Sequence, residues 1–159
     1  MDEFNLPTSE EPLPENLRDV SAGLLAEVQS ELKLERALTL LNLDGSWSVG
    51  TAIEMSTDDF WNQAPISLGI LEAAVEKGEA VVLMDAGQSA EFGGRTSVVL
   101  SGLRSVACAP FVEVESGEAL ALVYVDNRVH IGAFTNEDGE KLQEFANEFG
   151  RRLIAALNS

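Results

Sequence analysis

The sequence predicts an α+β domain in which helices cover an antiparallel sheet. Its 159 residues are enough for one domain with a hydrophobic core and too few for two ordinary ones. Two pairs of strand-like runs are each joined by a short turn-forming stretch, which is the pattern of antiparallel hairpins. Amphipathic stretches lie before, between and after these pairs, without the regular strand and helix alternation that predicts a parallel sheet.

The first 14 residues, MDEFNLPTSEEPLP, are acidic, contain three prolines and show no apolar period. We expect a disordered acidic tail here, followed by one domain over residues 15–159. From Glu15 to about Glu35, apolar residues recur at steps of three and four, which predicts an amphipathic helix with one stripe to bury. The stripe consists of Leu17, Val20, Leu24, Val28 and Leu32.

The first hairpin is predicted over about Ala37–Glu54, because Asp44-Gly45 separates two strand-like runs and glycine tolerates a positive φ. The stretch ISLGILEAAVEKG then predicts a helix with Gly78 at its C-terminal cap. A buried strand over Ala80–Asp85 follows.

The second half of the chain predicts a glycine-bearing loop over residues 88–96, a short helical segment in SVVLSGL, and a second hairpin. The hairpin pairs Ser105–Val114 with Ala119–Asp126 around ESGE. Thr135, with Asp138 three residues later, resembles a capping box that opens the last helix. The stripe of that helix is Leu142, Phe145, Phe149, Leu153 and Leu157.

The composition excludes several classes of partner and environment. Ten basic against 27 acidic residues give a net charge of −17, which opposes binding to the phosphate backbone of a nucleic acid. No early segment resembles a signal peptide, and the apolar runs are too short for a membrane span. We expect a soluble cytoplasmic protein without nucleic-acid or membrane partners.

Four stretches, in this order, resemble the GAF domain family: ILEAAVEKGEAVVLMDA, SVVLSGLRSVACAPF, ALALVYVDNR and GAFTNEDGEKLQEFA. The resemblance covers roughly residues 20–157 and is strongest to GAF domains of bacterial signalling proteins. It implies a PAS-related, six-stranded antiparallel sheet with the N- and C-terminal helices on one face and short helices and loops on the other. Family members hold cyclic nucleotides, bilins or other small molecules on that second face. Many members dimerise through the terminal helices, and many bind no known ligand.

A subset of the family carries an Asn-Lys, Phe and Asp-Glu signature near the C-terminus. Here Asn127 and Arg128 stand at the first place, Phe134 at the phenylalanine and Asp138 at the aspartate, while Gly139 replaces the glutamate. The departure weakens any transfer of cyclic-nucleotide binding. We expect Arg128 and Asp138 to form a structural ion pair, which if partly exposed contributes about 0–1 kcal/mol.

Cys108 is the only cysteine, and it stands in the middle of a predicted strand. A nucleophilic role needs a lowered pKa and solvent access, whereas a cysteine among apolar strand residues is expected to be buried. One GAF subfamily reduces free methionine sulfoxide with a catalytic and a resolving cysteine. A single cysteine cannot form that internal disulfide, so this enzyme is only a remote alternative and we predict no catalytic residue.

A metal centre or an attached chromophore is not predicted either. His130 is the only histidine, and neither a second histidine nor a cysteine is available to complete a typical zinc or bilin arrangement with it. We therefore predict a solvated loop residue and no certain cofactor. An unidentified small-molecule ligand remains open.

Strand alternation suggests where such a ligand would bind. If Ser116-Gly117 form a two-residue turn, Ala109 lies opposite Tyr124 and Ala107 opposite Asp126, and the small alanines leave room for a ligand. Alternatively, the alanines only let a helix approach the sheet closely, and a one-residue change of register would reassign the face.

Other residues join the pocket by their place in the family layout. Phe60 and Trp61 are candidate wall residues, although large aromatic side chains such as these and Trp47 are more often part of a core. Asp85 and Ser97 stand at the edge of the same region.

Two functions remain open at this point. One is a non-catalytic sensor or regulatory module that binds a small molecule opposite the terminal helices. The other is a ligand-free module for dimerisation and protein interaction. In both cases the output is expected to pass through another chain, because no kinase, cyclase or DNA-binding segment is present. We also predict a homodimer through the terminal helices, because one sheet face cannot easily hide both apolar stripes.

Overall fold

The structure is a computed structural model that describes residues 13–43, 45–54, 68–83, 105–127 and 134–158, and every structural statement concerns these residues. The three helices are α1 (Glu15–Glu31), α2 (Leu68–Lys77) and α3 (Asn136–Leu157). The five strands are β1 (Arg36–Leu43), β2 (Ser46–Ile53), β3 (Val81–Leu83), β4 (Ser105–Val112) and β5 (Ala119–Asn127).

The five strands form one antiparallel sheet in the order β2-β1-β5-β4-β3. β5 of the second hairpin lies in the centre of the sheet and pairs with β1 of the first hairpin. The two hairpins are therefore joined by contacts between distant parts of the sequence. The predicted α+β class with an antiparallel sheet is confirmed. The described residues contain five strands, whereas the resemblance implied six.

The terminal helices α1 and α3 pack together on one face of the sheet. Their apolar side chains meet the odd-numbered positions of the central strands, which include Ala107, Ala109, Ala121 and Val123. Gly150 of α3 lies directly against the ring of Phe111, and an added Cβ would overlap that ring. Small residues on both layers therefore allow the helix to approach the sheet closely, as the alternative interpretation of the alanines required.

Helix α2 covers the opposite face. Its Ile70, Leu71 and Ala74 are fully buried, and they belong to a cluster with side chains of β1, β4 and β5. Trp47 and Val49 of β2 are partly buried and pack against the same cluster. The left-handed Gly78, with φ of +67°, ends α2 as predicted.

Most element boundaries agree with the sequence. Helix α1 ends at Glu31, about four residues earlier than predicted, because Leu32 is already extended, with φ of −120°. The capping box is confirmed, since the Thr135 hydroxyl accepts from the Asp138 backbone N–H and the Asp138 carboxylate accepts from the Thr135 N–H. Leu13, which the sequence assigned to the tail, is buried in the core.

A single copy of the chain covers nearly all of both helical stripes. Leu17, Leu24, Val28 and Leu32 of the first stripe are buried, as are Leu142, Phe149 and Leu153 of the second. Val20 and Phe145 are half-buried against the same core. Leu157 is the one stripe residue that stays exposed, at 55%. A second copy is therefore not needed to cover the stripes, contrary to the reason given for the dimer, and the homodimer itself stays a prediction.

None of the described helices is both long enough and apolar enough to cross a membrane.

Candidate functional site

The candidate site lies on the face under α2, at the end of the sheet where β1 begins and β5 ends. Alternation along the strands places Leu38, Val106, Cys108 and Tyr124 on this face, and all four are fully buried. Arg36 and Asp126 continue the same rows toward the end of the sheet, since Arg36 pairs with Asp126 and Leu38 with Tyr124. An otherwise apolar face therefore ends in a charged pair.

Arg36, Asp126 and Tyr124 form a compact hydrogen-bonded cluster. The guanidinium of Arg36 donates to Asp126 through Nε to Oδ1 at 2.8 Å and through the second nitrogen to Oδ2 at 2.6 Å. The hydroxyl of Tyr124 donates to Oδ2 of the same carboxylate at 2.7 Å. The carboxylate is thus held by three donors, two of them in the bidentate geometry that suits arginine.

The cluster is almost completely removed from solvent. Arg36 is 1% exposed, and Asp126 and Tyr124 are 0% exposed. Burial lowers the pKa of the Arg36 guanidinium, but the hydrogen bond and the negative charge of Asp126 raise it more, so that the pKa lies above its ordinary value. The guanidinium therefore stays charged, and its charge is balanced inside the protein by Asp126.

Neighbouring hydrogen bonds fix the strand ends around the cluster. Ser105 at the start of β4 donates from its hydroxyl to the Leu83 carbonyl at 3.1 Å and accepts from the Phe134 backbone N–H at 3.2 Å. Asn127 donates from its amide to the Lys33 carbonyl at 3.1 Å. These contacts tie β3, β4, β5 and the chain before β1 together, so the cluster is rigidly positioned.

Cys108 lies directly beside Tyr124, its pairing partner across β4 and β5. The side chain is 0% exposed, and burial raises the pKa of its thiol far above the ordinary value. The thiolate that nucleophilic chemistry needs is therefore not formed at neutral pH. The prediction that Cys108 packs in the core is confirmed.

The predicted register of the second hairpin is wrong by one residue. Tyr124 pairs with Cys108 and Asp126 with Val106, whereas Ala109 pairs with Val123 and Ala107 with Val125. The turn contains four residues rather than two, because Glu113 N–H donates to the Glu118 carbonyl. Val112 then pairs with Ala119 and Phe111 with Ala121, so that a bulge leaves Leu120 out of the pairing.

The observed register separates the predicted pocket residues. Ala107 and Ala109 lie under the terminal helices and not beside Tyr124 and Asp126, so the argument that placed them in a pocket no longer holds. Tyr124 and Asp126 stay together, on the predicted face opposite the terminal helices. The sequence analysis missed Arg36, although a lone arginine directly before the apolar run ALTLL was a visible signal.

Several predicted positions lie outside the described residues. They are the candidate pocket residues Phe60, Trp61, Asp85 and Ser97, and the loop residue His130. Arg128, the expected partner of Asp138, also lies outside them. Within the described residues, Asp138 serves the capping box at Thr135.

Comparison with known proteins identifies the fold. The family model of the GAF domain matches residues 16–153. No curated protein matches the chain. Three of the most similar solved structures are each no more than 16% identical to it and show the likeness of fold alone.

The first is the GAF domain/HD domain protein from Geobacter sulfurreducens, with 12% identity and a TM-score of 0.66 over 90% of this chain and 95% of that one. The second is a type II free methionine-R-sulfoxide reductase from Thermoplasma acidophilum, with 16% identity and a TM-score of 0.59 over 86% and 91%. The third is the GAF domain of a two-component sensor histidine kinase from Bacillus halodurans, with 9% identity and a TM-score of 0.58 over 86% and 92%. Because the family model spans most of the chain, the chain belongs to the GAF domain family.

Proposed function

We propose that this protein is a non-catalytic sensor or regulatory module of a signalling system. It binds a small molecule on the sheet face under α2 and passes the signal to another chain. The observation that carries the proposal is the buried cluster of Arg36, Asp126 and Tyr124. Membership of the family, and the two-component sensor histidine kinase among the similar structures, favour signalling as the context.

A buried charged cluster is an unusual way to stabilise a sheet. Replacing a buried ion pair by well-packed apolar residues is often neutral or stabilising, so such a pair indicates specificity or function more readily than stability. Polar groups at one end of an apolar face are also the usual composition of a small-molecule site. The cluster supplies a charged guanidinium, a carboxylate and a phenol within one hydrogen-bonded unit, which a polar ligand engages by exchanging partners.

Enzymatic reduction of methionine sulfoxide is the less favoured function. The similar reductase shows that the fold is compatible with it. Against it stand the single cysteine of the sequence and the burial of that cysteine beside Tyr124. A ligand of this chain is therefore proposed to act by shifting the population of two conformations and not by reacting.

Native mass spectrometry of the gently purified protein tests the proposal. We expect a second species that exceeds the apo mass by a few hundred daltons and is lost when the protein is denatured. In Tyr124→Phe, which keeps the ring and removes the hydroxyl, the bound fraction falls. In Phe145→Leu, a conservative change under the terminal helices, it is unchanged.

Two results contradict the proposal. One is a bound species that is equally abundant in wild type, Tyr124→Phe and Phe145→Leu, which moves the ligand away from this face. The other is a single apo mass in protein from several growth conditions, together with no shift of the melting temperature in a screen of metabolites. Reduction of free methionine sulfoxide that is lost in Cys108→Ala moves the assignment to the enzyme.

A further inference from the structure

An apolar groove lies on the opposite face, between the last turns of α3 and one end of the sheet. It encloses about 330 Å³ including its open mouth. Gly150, Leu153, Ile154 and Leu157 of α3 form one wall, and the strand ends form the other with Leu41, Asn42, Leu43, Phe111 and Leu120. This groove takes no part in the cluster around Arg36.

The groove is accompanied by large apolar side chains that the fold does not cover. Within the described residues, Val114, Ile154 and Leu157 are the large apolar side chains that are exposed, at 96%, 38% and 55%. Ile154 and Leu157 line the groove, and Val114 lies in the turn that joins β4 to β5 next to it. All three therefore lie at the same end of the molecule. Exposed apolar side chains without a shared role are usually scattered singly over the surface.

The rim of the groove is acidic. The turn between Phe111 and Leu120 carries Glu113, Glu115 and Glu118 and no basic residue. Arg151, which lies one turn before Ile154 on α3, is already paired with Glu148 through contacts of 3.0 and 2.8 Å. An apolar groove beside three carboxylates suits an occupant that combines large apolar and positively charged side chains.

Two other occupants fit less well. A second copy carries the same net charge of −17, and three exposed apolar side chains fall far short of the roughly 800 Å² per partner that a stable dimer buries. The first twelve residues of the chain contain four acidic and no basic side chains, so they too are repelled by the rim. The charge therefore favours a cationic segment of another protein.

We propose that this groove docks a short cationic amphipathic segment of a partner protein. One or two large apolar side chains enter between Leu157 and Leu43, and lysine or arginine side chains face the Glu113–Glu118 turn. The surface lies on the face opposite the proposed ligand site, so docking does not depend on whether a ligand binds there.

Fluorescence anisotropy with a labelled synthetic peptide tests the proposal. The probe is a helical peptide of leucine and lysine, with leucines at one face, compared with a peptide of the same composition in scrambled order. We expect saturable binding of the amphipathic peptide to the full chain and at least about tenfold weaker binding of the scrambled one, since loss of one well-buried apolar side chain corresponds to roughly that factor.

Matched variants locate the binding surface. Leu157→Ser and the double reversal Glu115→Lys with Glu118→Lys are each expected to weaken binding about tenfold, whereas Leu157→Met retains it. The double reversal Glu137→Lys with Glu140→Lys changes the net charge equally at exposed positions near the start of α3, at the other end of that helix from the groove, and leaves binding unchanged. If Leu157→Ser does not fold, Ile154→Ser takes its place.

Four outcomes overturn the proposal. Binding that does not saturate removes the site, and equal weakening by the two double reversals reduces it to general charge attraction. Tighter binding after Phe4→Ser with Leu6→Ser shows that the chain's own first residues fill the groove. A dimer in light scattering that Leu157→Ser dissociates assigns the groove to a second copy.

Discussion

Asp126 holds the side chains of Arg36 and Tyr124 in place by hydrogen bonds. It accepts two hydrogen bonds from Arg36 and one from Tyr124, and all three residues are buried. The pKa of Arg36 is raised, so its contribution to stability is present at every pH below its ordinary pKa and is lost only as the pH rises through the higher folded-state value. Arg36 therefore stays positively charged throughout the neutral pH range.

Replacing Asp126 by Asn is expected to destabilise the fold by about 3–5 kcal/mol, because it leaves the Arg36 charge buried without a counter-charge. Tyr124→Phe removes the hydroxyl that donates to the Asp126 carboxylate and should cost about 1.5–3 kcal/mol. Urea unfolding at pH 7 measures both.

The double variant Arg36→Met with Asp126→Leu serves as the control for Asp126→Asn. It removes both charges, so it should be less destabilised than the sum of the two single changes. A cost below about 1 kcal/mol for Asp126→Asn, in a variant that unfolds cooperatively, would show that the pair is not formed in solution.

Cys108→Ala is expected to fold and to cost about 1 kcal/mol, since it removes a buried side-chain atom without breaking a polar network. The native thiol should react with an alkylating reagent far more slowly than the thiol in urea, because burial both raises its pKa and excludes the reagent. Mass spectrometry of the alkylated protein follows the reaction. Rapid modification of the folded wild type at neutral pH would contradict the buried position.

At the scale of single residues, the sequence identified Tyr124 and Asp126 but not the reason for their importance. Asp126 was placed in a pocket beside Ala107, whereas its partner is Arg36, 90 residues earlier in the chain. Alternation within one strand predicts which residues share a face, but the partner across the sheet depends on a pairing between distant strands. The sequence marks Arg36 by its place before an apolar run, but its pairing with Asp126 could be recognised only after β1 was placed beside β5.

At the scale of elements, two glycines in helices offer a matched test of packing. Gly150 lies against Phe111, and Gly23 in the middle of α1 has no atom within 4 Å of an added Cβ. Gly23→Ala should stabilise the protein by up to about 1 kcal/mol through helix propensity. Gly150→Ala gains the same propensity but overlaps the Phe111 ring, which typically costs about 1–3 kcal/mol, so its net effect should be destabilising.

Thermal unfolding of the two glycine variants beside wild type checks these signs. Opposite shifts of the melting temperature confirm the close contact between α3 and β4. If Gly150→Ala raises the melting temperature as Gly23→Ala does, the helix does not approach the sheet as described.

The elements themselves follow from short-range patterns, which explains why most of their boundaries could be predicted. The capping box at Thr135 and the left-handed Gly78 are local signals and were recognised. The register of the second hairpin was missed because ESGE permits turns of different length. A four-residue turn with a bulge moves Leu120 out of the pairing and shifts every later partner by one residue.

At the scale of the whole molecule, the two terminal helices and the sheet bury each other's apolar side chains within one chain. The sequence indicated two apolar stripes but could not indicate how much area one sheet face covers, which depends on the close approach that Gly50 and Gly150 permit. The surface that remains is strongly acidic. Ten basic residues stand against 27 acidic ones, so most carboxylates have no cation to pair with.

This excess negative charge should make the melting temperature rise with salt. Between about 20 and 500 mM NaCl at pH 7, screening of the repulsion is expected to raise it by a few degrees. Calorimetry at about pH 4.5 is the control, since many carboxylates are then protonated and the repulsion is weak.

Hydrogen bonds from Arg152 to Glu27, and from Arg151 and Arg152 to Glu148, lower the pKa of both glutamates. Their contribution is present above the ordinary pKa and is lost only as the pH falls through the lowered value. At pH 4.5 salt therefore screens mainly these attractive pairs, and its stabilising effect should vanish or reverse. A melting temperature that falls with salt at pH 7 would show that attractive pairs, and not the net charge, dominate the surface electrostatics.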